Sequence, residues 1–363
     1  MKILVTGGAG FIGSHVVDAL LETGADVRVL DALDPSVHGG IAPVLDERAE
    51  LIVGNLNDPS AIDAAVAGVD AVCHQAARVG LGVDFSDVGR YVADNDVGTA
   101  SLLAGLWRAG FRRRLVLASS MVIYGEGLAG CPEHGAVRPA PRDDADLAAG
   151  EFEPRCPRCE RFVTWLAVDE STAPDPRNVY AATKLHQEHL CRLWAREAGA
   201  SAIALRYHNV YGPRMPRDTP YAGVAAIFRS AVLAGQHPQV FEDGGQTRDF
   251  VHVRDVARAN LLALAAEWMP RGEARVYNIA SGQPRTVLDL ARAVCGSGAG
   301  GASGAASALA PTVTGAWRAG DVRHIVASPA RAADELGFRA EVSFEDGMAE
   351  FVDALGSGEP VAS

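Results

Sequence analysis

Two side chains of the sequence stand at a spacing that suits acid–base chemistry. Tyr180 and Lys184 lie four residues apart, and residues at that spacing share one face of a helix. A neighbouring ammonium stabilises a phenolate, so we expect Lys184 to lower the pKa of Tyr180 toward the range that proton transfer requires. Ser120 ends a predicted strand and could place a hydroxyl beside the phenol. A tyrosine–lysine pair alone is common on helices, so its meaning depends on what surrounds it.

A glycine-rich turn near the beginning of the sequence could hold a dinucleotide. Gly7, Gly10 and Gly13 follow the predicted strand Lys2–Thr6 and precede a helical pattern. Such glycines let the backbone approach a pyrophosphate, whose charge then lies at the helix N-terminus. Asp31, at the end of the second predicted strand, would accept hydrogen bonds from the adenosine ribose and repel a 2′-phosphate, which favours NAD over NADP. The alternative is a glycine-rich turn that binds no ligand.

Four potential metal ligands occur in one polar segment. Cys131 and His134 form a Cys-x₂-His turn, and Cys156 and Cys159 form a Cys-x₂-Cys turn after the intervening residues 135–155. Two such turns supply the tetrahedral set of ligands that zinc prefers. Because the protein would fill all four positions, the zinc would be structural and not catalytic. The alternative is an incidental group of reduced cysteines.

The elements that must position these side chains alternate between strand and helix. This alternation predicts an α/β fold in which residues 1–208 form a Rossmann-like, doubly wound parallel sheet that binds NAD. The predicted strands are Lys2–Thr6, Asp26–Leu30, Ala49–Val53, Ala71–Gln75, Leu115–Ser119 and Ala202–Tyr207. The predicted helices are 11–23, 58–67, 92–109 and 178–198.

The remaining segments interrupt or follow this pattern. Residues 126–168, rich in proline, glycine and charge, predict an inserted, zinc-knuckle-like loop. Residues 209–355 predict a smaller, discontinuous C-terminal α/β substrate lobe, whose strands can return to the main sheet. Its predicted helices are 221–234, 255–267 and two more within 328–355. The Gly/Ala/Ser-rich stretch 296–310 and the tail 356–363 are predicted to be flexible.

Composition limits the partners that the protein could have. The 363 residues carry 45 acidic and 33 basic side chains, a net charge of −12, so we expect no nucleic-acid partner. No apolar run reaches the ~18 residues of a membrane helix, so we expect no membrane partner. The sequence has no apparent export leader and few cysteines, which together predict a cytoplasmic protein.

Further motifs resemble those of the extended short-chain dehydrogenase/reductase family, in particular its nucleotide-sugar epimerases. The resemblance covers most of the chain outside 126–168 and the Gly/Ala/Ser-rich stretch. Its motifs are the glycine turn, the Tyr180/Lys184 pair, His74–Ala77, Asn95–Thr99, Ser119–Gly125, Arg206–Arg214, Arg248–Val253 and Arg318–Asp321.

The resemblance implies a role for individual residues. Ser120, Tyr180 and Lys184 would be catalytic. The NAD-binding residues would be Gly7, Gly10, Phe11, Ile12, Gly13, Asp31, Asn55, Leu56, Ala76, Asn95, Tyr180 and Lys184. The residues that bind the nucleotide-diphosphate sugar would be Ser120, Met121, Tyr180, Asn209, Arg248, Arg318 and Ile325, the two arginines holding its pyrophosphate. The family also implies a homodimer through the helices around 92–109 and 178–198.

Departures from the family's motifs narrow the reaction. Met121 and Val122 replace the Asp-Glu pair of the 4,6-dehydratases, and the glutamate of the UDP-glucuronate decarboxylases is also missing there. What remains is epimerisation at C4 through a transient 4-keto sugar. The Cys/His insertion and the run 175–184 look like those of dTDP-L-rhamnose 4-epimerases, which favours dTDP-L-rhamnose as substrate.

Three alternatives stay open. The protein could be an NAD-dependent nucleotide-sugar dehydrogenase or reductase with net cofactor turnover. It could be an epimerase that acts on UDP-glucose, UDP-N-acetylglucosamine or UDP-glucuronate. It could also be an inert NAD-binding scaffold whose zinc knuckle recruits a partner, although a scaffold has no need of Ser120, Tyr180 and Lys184 together.

Overall fold

A parallel sheet covered by helices dominates the structure. The computed structural model describes residues 1–35, 45–80, 85–216, 223–297 and 309–354. The strands are β1 (Lys2–Thr6), β2 (Asp26–Asp31), β3 (Glu50–Val53), β4 (Ala71–His74), β5 (Arg114–Ser120), β6 (Leu128–Cys131), β7 (Gly135–Val137), β8 (Thr164–Leu166), β9 (Ser201–Tyr207), β10 (Asn209–Tyr211), β11 (Gln239–Val240), β12 (Thr247–His252), β13 (Ala274–Ile279), β14 (Pro284–Thr286), β15 (Thr312–Val313) and β16 (His324–Ile325).

Helices connect most of these strands. The α-helices are α1 (Phe11–Glu22), α2 (Pro59–Val66), α3 (Val88–Tyr91), α4 (Gly98–Arg108), α5 (Asp144–Ala148), α6 (Val179–Ala198), α7 (Val224–Leu233), α8 (Val253–Ala265), α9 (Val287–Ser297), α10 (Ala330–Leu336) and α11 (Phe344–Asp353). Short 3₁₀ turns cover Phe85–Asp87 and Met121–Tyr124, and a π-helical segment, Val92–Val97, joins α3 to α4.

The central sheet has seven strands in the order β13-β9-β5-β4-β1-β2-β3, and all of its pairings are parallel. Its register aligns Ile3 with Val27 on one side and with Ala71 on the other. The strand order reverses between β1 and β4, which is where sheets of this kind bind ligands, at the carboxyl ends of the strands. The doubly wound α/β fold predicted from the sequence is thus confirmed.

Alternating side chains fill two apolar layers, one on each face of the sheet. Ile3 and Val5 of β1 pack with α1 and α8 on one face. Leu4, between them, packs with α2, α4 and α6 on the other. A parallel strand is buried on both faces, which explains why these strands are continuous apolar runs in the sequence.

The predicted elements differ from the observed ones in a few places. All six predicted strands are present with shifts of a residue at some ends, but the predicted helix 92–109 is a π-helical segment followed by α4. No range was predicted for strand β13, which returns from the C-terminal half to the edge of the main sheet. Residues 221 and 222, the part 298–308 of the predicted linker, and the predicted tail 356–363 lie outside the described residues.

A second sheet lies in the predicted C-terminal lobe. Strand β12 pairs with β10 and β16 in parallel and with β14 antiparallel. Apolar side chains of α7, α9 and α11 pack together beside it, among them Phe228, Leu290 and Phe351. The register places Arg248 opposite Ile325, so two predicted substrate residues are neighbours.

The predicted insertion forms a small antiparallel sheet of its own, in the order β7-β6-β8. Its short core includes Ala129, Val137 and Val163, together with Cys131 and Cys156. Past this sheet, Val168 bridges to Ala327 and so ties the end of the insertion to the C-terminal lobe. In the described ranges, no helix has the length and apolar character needed to cross a membrane.

Candidate active site

The glycine turn lies at the point where the strand order reverses. Gly7 has φ +68°, and a Cβ added to it would lie 2.6 Å from the Cα of Ala76. A Cβ on Gly13 would lie 2.0 Å from the carbonyl oxygen of Gly7. These two glycines are therefore required by the packing of the turn itself.

Gly10 differs from the other two glycines. Its φ is −79°, and a Cβ there would meet only the Gly7 carbonyl oxygen, at 3.4 Å. Gly10 is also the N-cap of α1 and offers no side chain to the N–H groups of the first turn. Since packing within the protein does not require this glycine, space for a ligand at the helix N-terminus explains it, and the site fits a dinucleotide pyrophosphate.

The other predicted NAD-binding residues surround this turn. Asp31 accepts hydrogen bonds from the main-chain N–H of Ala9 at 3.0 Å and of Leu33 at 2.9 Å, which fixes its carboxylate beside the turn. Asn55 is exposed, with its side-chain oxygen bonded to the N–H of Asn57. The remaining members are Phe11 and Ile12 in the first turn of α1, buried Leu56 after β3, and Ala76 after β4.

Asn95, in the π-helical segment, is buried and fully engaged with the protein. Its amide oxygen accepts the N–H of Arg78 at 2.7 Å, and its amide nitrogen donates to the carbonyl of Arg78 and to the hydroxyl of Thr183, each at 3.0 Å. Asn95 therefore joins the segment after β4 to the helix that carries Tyr180 and Lys184.

The three predicted catalytic residues come together at the carboxyl end of β5. Asn178 caps α6 by accepting the N–H of Ala181 at 2.8 Å, so the helix begins just before Tyr180. The hydroxyl of Ser120 lies near enough to the Tyr180 phenol to lower its pKa. The Nζ of Lys184 donates to the carbonyl of Ala118 at 2.9 Å and lies 5.9 Å from the centre of the Tyr180 ring.

The expected lowering of the Tyr180 pKa does not occur in this arrangement. Burial raises the pKa of Tyr180 to about 12, and the neighbouring Ser120 hydroxyl offsets only part of that rise. Burial also lowers the pKa of Lys184 to about 7, because its ammonium is desolvated. Desolvation is the largest cause of both pKa shifts, which sequence spacing alone could not reveal.

A network of buried polar side chains lies next to the three predicted catalytic residues and connects the elements that carry them. Ser119 donates to Glu188 at 2.5 Å, and Glu188 receives two hydrogen bonds from Arg206, at 2.9 and 2.8 Å. Arg206 also donates to the hydroxyl of Tyr124 at 2.8 Å, which donates to Asn278 at 2.7 Å. The network links β5, α6, β9 and β13, and so fixes the strand end at Ser120 relative to the Tyr180 helix.

The predicted substrate residues contain cationic and polar groups that the protein leaves available. Within the described residues, the Arg248 guanidinium bonds main-chain carbonyls and no carboxylate. Burial lowers the pKa of Arg248 to about 10. Arg318 is exposed, with its guanidinium 6.0 Å from the centre of the Phe241 ring. The buried Oδ1 of Asn209 has no hydrogen-bond partner in the described ranges.

A small apolar cluster lies next to the carboxyl end of β5. Ile325 is buried together with Ile123 and Val168, and Met121 packs against this cluster. Met121 directly follows Ser120, so this cluster begins where β5 ends.

Sequence reasoning missed Glu126, which follows the Tyr124-Gly125 pair. It is 8% exposed, and the described residues give it no hydrogen bond. Burial raises the pKa of Glu126 to about 7, while the charges of Arg142, Arg177 and Arg248 act in the opposite direction. A glutamate in a polar insertion gives no sign in the sequence that it is buried.

The four predicted metal ligands meet in the insertion. Their ligand atoms all lie within 4.8 Å of one another. The Sγ atoms of Cys131 and Cys159 are 3.6 Å apart, and His134 Nδ1 is 3.5 Å from the sulfurs of Cys131 and Cys156. Tetrahedral zinc with bonds of about 2.3 Å to sulfur and 2.0 Å to nitrogen places its ligands roughly 3.5 to 3.8 Å apart, so the residues fit the ion.

A family profile matches most of the chain. The profile of the NAD dependent epimerase/dehydratase family aligns with residues 3–152 and 165–280. The unmatched residues between these ranges include Cys156 and Cys159. The second half of the Cys/His cluster is therefore outside the part that the profile describes.

Individual relatives cover nearly the whole chain. A dTDP-L-rhamnose 4-epimerase of Burkholderia thailandensis is 34% identical over 354 residues, which are 96% of this chain and 93% of the relative. The UDP-glucose 4-epimerase of Thermus thermophilus, solved with NAD, matches 99% of this chain and 100% of its own at 30% identity, with a TM-score of 0.75. That of Thermotoga maritima, solved with UDP-glucose, matches 98% and 99% at 30% identity, with a TM-score of 0.77.

Proposed function

The chain belongs to the NAD dependent epimerase/dehydratase family, and we propose that it inverts C4 of a nucleotide-diphosphate sugar through a transient 4-keto sugar. The observation that carries the proposal is the placement of Ser120 at the carboxyl end of β5 next to α6, the helix of Tyr180 and Lys184, at the same end of the parallel sheet as the glycine turn. Nucleotide-sugar 4-epimerases among its relatives support the same reaction.

NAD is the proposed cofactor. The glycine turn with the N-terminus of α1 would hold its pyrophosphate, and Asp31 its adenosine ribose. Asn55 and Leu56 would flank the adenine, with Ala76 and Lys184 on the nicotinamide side. When bound, NAD supplies reversible hydride acceptance at the sugar C4, and the epimerase consumes no external reductant.

The proton chemistry is assigned to Tyr180 and Ser120. The Tyr180 hydroxyl oxygen would exchange a proton with the 4-oxygen of the sugar, while Ser120 donates a hydrogen bond to that oxygen. Once C4 is a planar ketone, turning the sugar presents its other face, and the same two hydroxyls serve the return step. Lys184, on the next turn of α6, positions the phenol and the ribose.

The substrate pyrophosphate would lie against Arg248 and Arg318. Guanidinium groups match phosphate oxygens in geometry and charge, which explains how an acidic protein can bind an anion. The unpartnered Oδ1 of Asn209 would accept a hydrogen bond from the substrate. Met121 and Ile325 would form the apolar side of the sugar pocket.

Within this class we propose dTDP-L-rhamnose as the substrate. The 34% identity to the Burkholderia enzyme over nearly the full length supports this choice, and an apolar wall suits a 6-deoxy sugar. UDP-glucose is the second candidate, because the two UDP-glucose 4-epimerase structures match the fold over nearly the whole chain.

The test is to identify the product without added cofactor. The purified protein is incubated with dTDP-L-rhamnose, UDP-glucose, UDP-N-acetylglucosamine and UDP-glucuronate, and NMR follows the configuration at C4. We expect inversion of dTDP-L-rhamnose without accumulation of NADH. Stoichiometric NADH would instead identify a dehydrogenase, and no conversion of any sugar would contradict the proposed reaction.

We propose that the Cys/His cluster binds one structural zinc ion, held by Cys131, His134, Cys156 and Cys159. With four protein ligands, the ion would crosslink the two turns of the insertion. Metal analysis should find one zinc per chain in the wild type and in a Cys191→Ser control, whose cysteine lies on α6. Cys156→Ser should lose the zinc, and a full complement in that variant would contradict the site.

We also propose a homodimer through α4, α6 and the adjoining π-helical segment. Val97 and Leu193, large apolar residues of these elements, are 48% and 45% exposed in the single chain. Exposed apolar side chains on two neighbouring helices support a surface that a second copy covers.

A further inference from the structure

Arg142 extends from the insertion into the substrate lobe. Its Nη2 donates to Glu242 at 2.8 Å and to the carbonyl of Asp321 at 2.7 Å, while Nη1 donates to the carbonyl of Phe152 at 3.1 Å. The side chains of Arg142 and Glu242 are only 4% and 2% exposed, so this ion pair is removed from solvent.

Glu153 makes a second connection to the same lobe. One of its oxygens accepts two hydrogen bonds from Arg323, at 3.0 and 2.6 Å, and the other lies 2.9 Å from His324 Nε2. Arg323 also donates to Glu242 at 2.7 Å. Arg142 and the partly exposed Glu153 of the insertion thus share one charge network with the buried Glu242 and Arg323 of the lobe.

The segment fixed by this network, residues 321–324, also holds Arg248. The guanidinium of Arg248 donates to the carbonyls of Val322 at 2.5 Å and Arg323 at 2.9 Å. Arg142 and Glu153 therefore bind the segment 321–324, and carbonyls of the same segment orient Arg248. Neither insertion residue has to touch the ligand in order to affect that orientation.

We propose that Arg142 and Glu153 are positioning residues that aim Arg248 at the substrate pyrophosphate. The insertion then holds the segment 321–324, whose carbonyls orient Arg248, in one position, in addition to binding the proposed zinc. This inference rests on the proposed function, because it assigns a diphosphate to Arg248. Buried ion pairs contribute little net stability, but they do fix one geometry among several, as positioning requires.

Binding of a nucleoside diphosphate tests the proposal without catalysis. Isothermal titration of dTDP and UDP into the full-length, NAD-loaded protein gives the Kd for wild type, Arg142→Ala and Glu153→Ala. Loss of hydrogen bonds that orient a charged group should raise the Kd about tenfold in each variant. Arg155→Ala is the control, because Arg155 pairs with Asp146 and Glu151 inside the insertion and should change the Kd less than about twofold.

A double-mutant cycle separates positioning from general damage to the fold. Arg142→Ala should have almost no further effect on the Kd in an Arg248→Ala background, since the residue it positions is already gone. Glu153→Gln, which keeps size and one acceptor, should recover part of the affinity. In steady state KM should rise while kcat stays within about twofold, because neither residue touches the reacting atoms.

Two outcomes overturn different statements. If Arg248→Ala weakens dTDP binding but the insertion variants do not, the insertion does not position Arg248, and the proposed function is unaffected. If Arg248→Ala itself leaves the Kd of both nucleotides unchanged, the pyrophosphate site is wrong. Additive effects in the double-mutant cycle also contradict positioning.

Discussion

Tyr180 carries the proton chemistry proposed for this site, and its hydroxyl can be removed alone. In Tyr180→Phe the sugar oxygen loses its proton-transfer partner, so kcat should fall about 10²- to 10⁴-fold. Bound NAD, measured by absorbance after release, should remain near the wild-type amount. Tyr277→Phe removes a hydroxyl at the far edge of the sheet, where it bonds Glu335, and should keep kcat. A Tyr180→Phe enzyme with a tenth of the activity would refute the assignment.

Glu126 makes stability depend on pH in a direction that can be calculated. Its pKa of about 7 in the folded protein lies above the 4.5 of an ordinary glutamate, because burial disfavours the carboxylate. The stability that the neutral carboxyl contributes is therefore complete below pH 4.5 and is lost as pH rises through about 7.

Glu126→Gln should stay neutral throughout this range. Its free energy of unfolding should match that of the wild type near pH 4 and exceed it near pH 8, by at most about 3 kcal/mol. Urea unfolding at the two pH values measures the difference, with the exposed Glu197→Gln as control. A difference between variant and wild type that does not change with pH would contradict the burial of an ionisable carboxyl.

At the residue scale, the sequence predicted which side chains come together better than it predicted their burial, pKa and contacts. The spacing of Tyr180 and Lys184, and of the four Cys/His residues, follows from local geometry, and the structure brings each set together. The direction of the Tyr180 pKa, the burial of Glu126 and the contacts of Arg142 depend on residues distant in sequence. No local pattern encodes those contacts.

At the scale of the element, the turn from β1 to α1 contains glycines that are needed for two different reasons. Packing within the protein requires Gly13, whereas the proposed NAD requires Gly10. In Gly10→Ala the added Cβ fits the protein, so the fold and melting temperature should persist while NAD affinity falls at least about tenfold. In Gly13→Ala the Cβ would lie 2.0 Å from the Gly7 carbonyl, so the variant should be destabilised by several kcal/mol. Thermal melting and NAD titration distinguish the two. Equal melting temperatures would contradict the steric account.

Strands whose residues are nearly all buried could be predicted from the sequence. Strands such as β1 and β9 lie inside the sheet and therefore read as apolar runs. Strand β13 lies at the edge and begins Ala-Arg-Val-Tyr, with its first three residues partly exposed or exposed, so it lacks that pattern. The strands of the insertion are too short to show the alternation of apolar and polar residues that identifies a strand in a sequence.

At the scale of the whole molecule, the exposed apolar residues of α4, α6 and the π-helical segment predict how copies associate. Val97→Asp should convert a dimer into single chains of 38.0 kDa, as measured by light scattering during gel filtration. Ile227→Asp is the matched control, because Ile227 is 53% exposed on α7, outside these elements, and should leave the mass unchanged. A wild-type mass of one chain would contradict the proposed dimer.

The overall α/β architecture follows from the sequence, because alternating strands and helices leave few ways to cover a parallel sheet. How the lobe and the sheet share the chain does not follow. Helix α8 packs on α1, and β13 joins β9, although both elements come after the first strand of the lobe. These contacts join residues that are far apart in sequence, and local patterns carry no information about them.

The late position of β13 also matters while the protein is being made. Strand β9 is buried over its whole length in the finished sheet. Its outer edge stays unpaired until β13 is synthesised, about seventy residues later in the chain. At a typical ~5 to 20 residues per second, a ribosome needs roughly 4 to 14 seconds for that interval. During this time the nascent chain presents an unpaired, apolar strand edge that can capture another polypeptide. Translation stalled between residues 208 and 273 should therefore increase co-translational aggregation, or chaperone occupancy, more than a stall after residue 279.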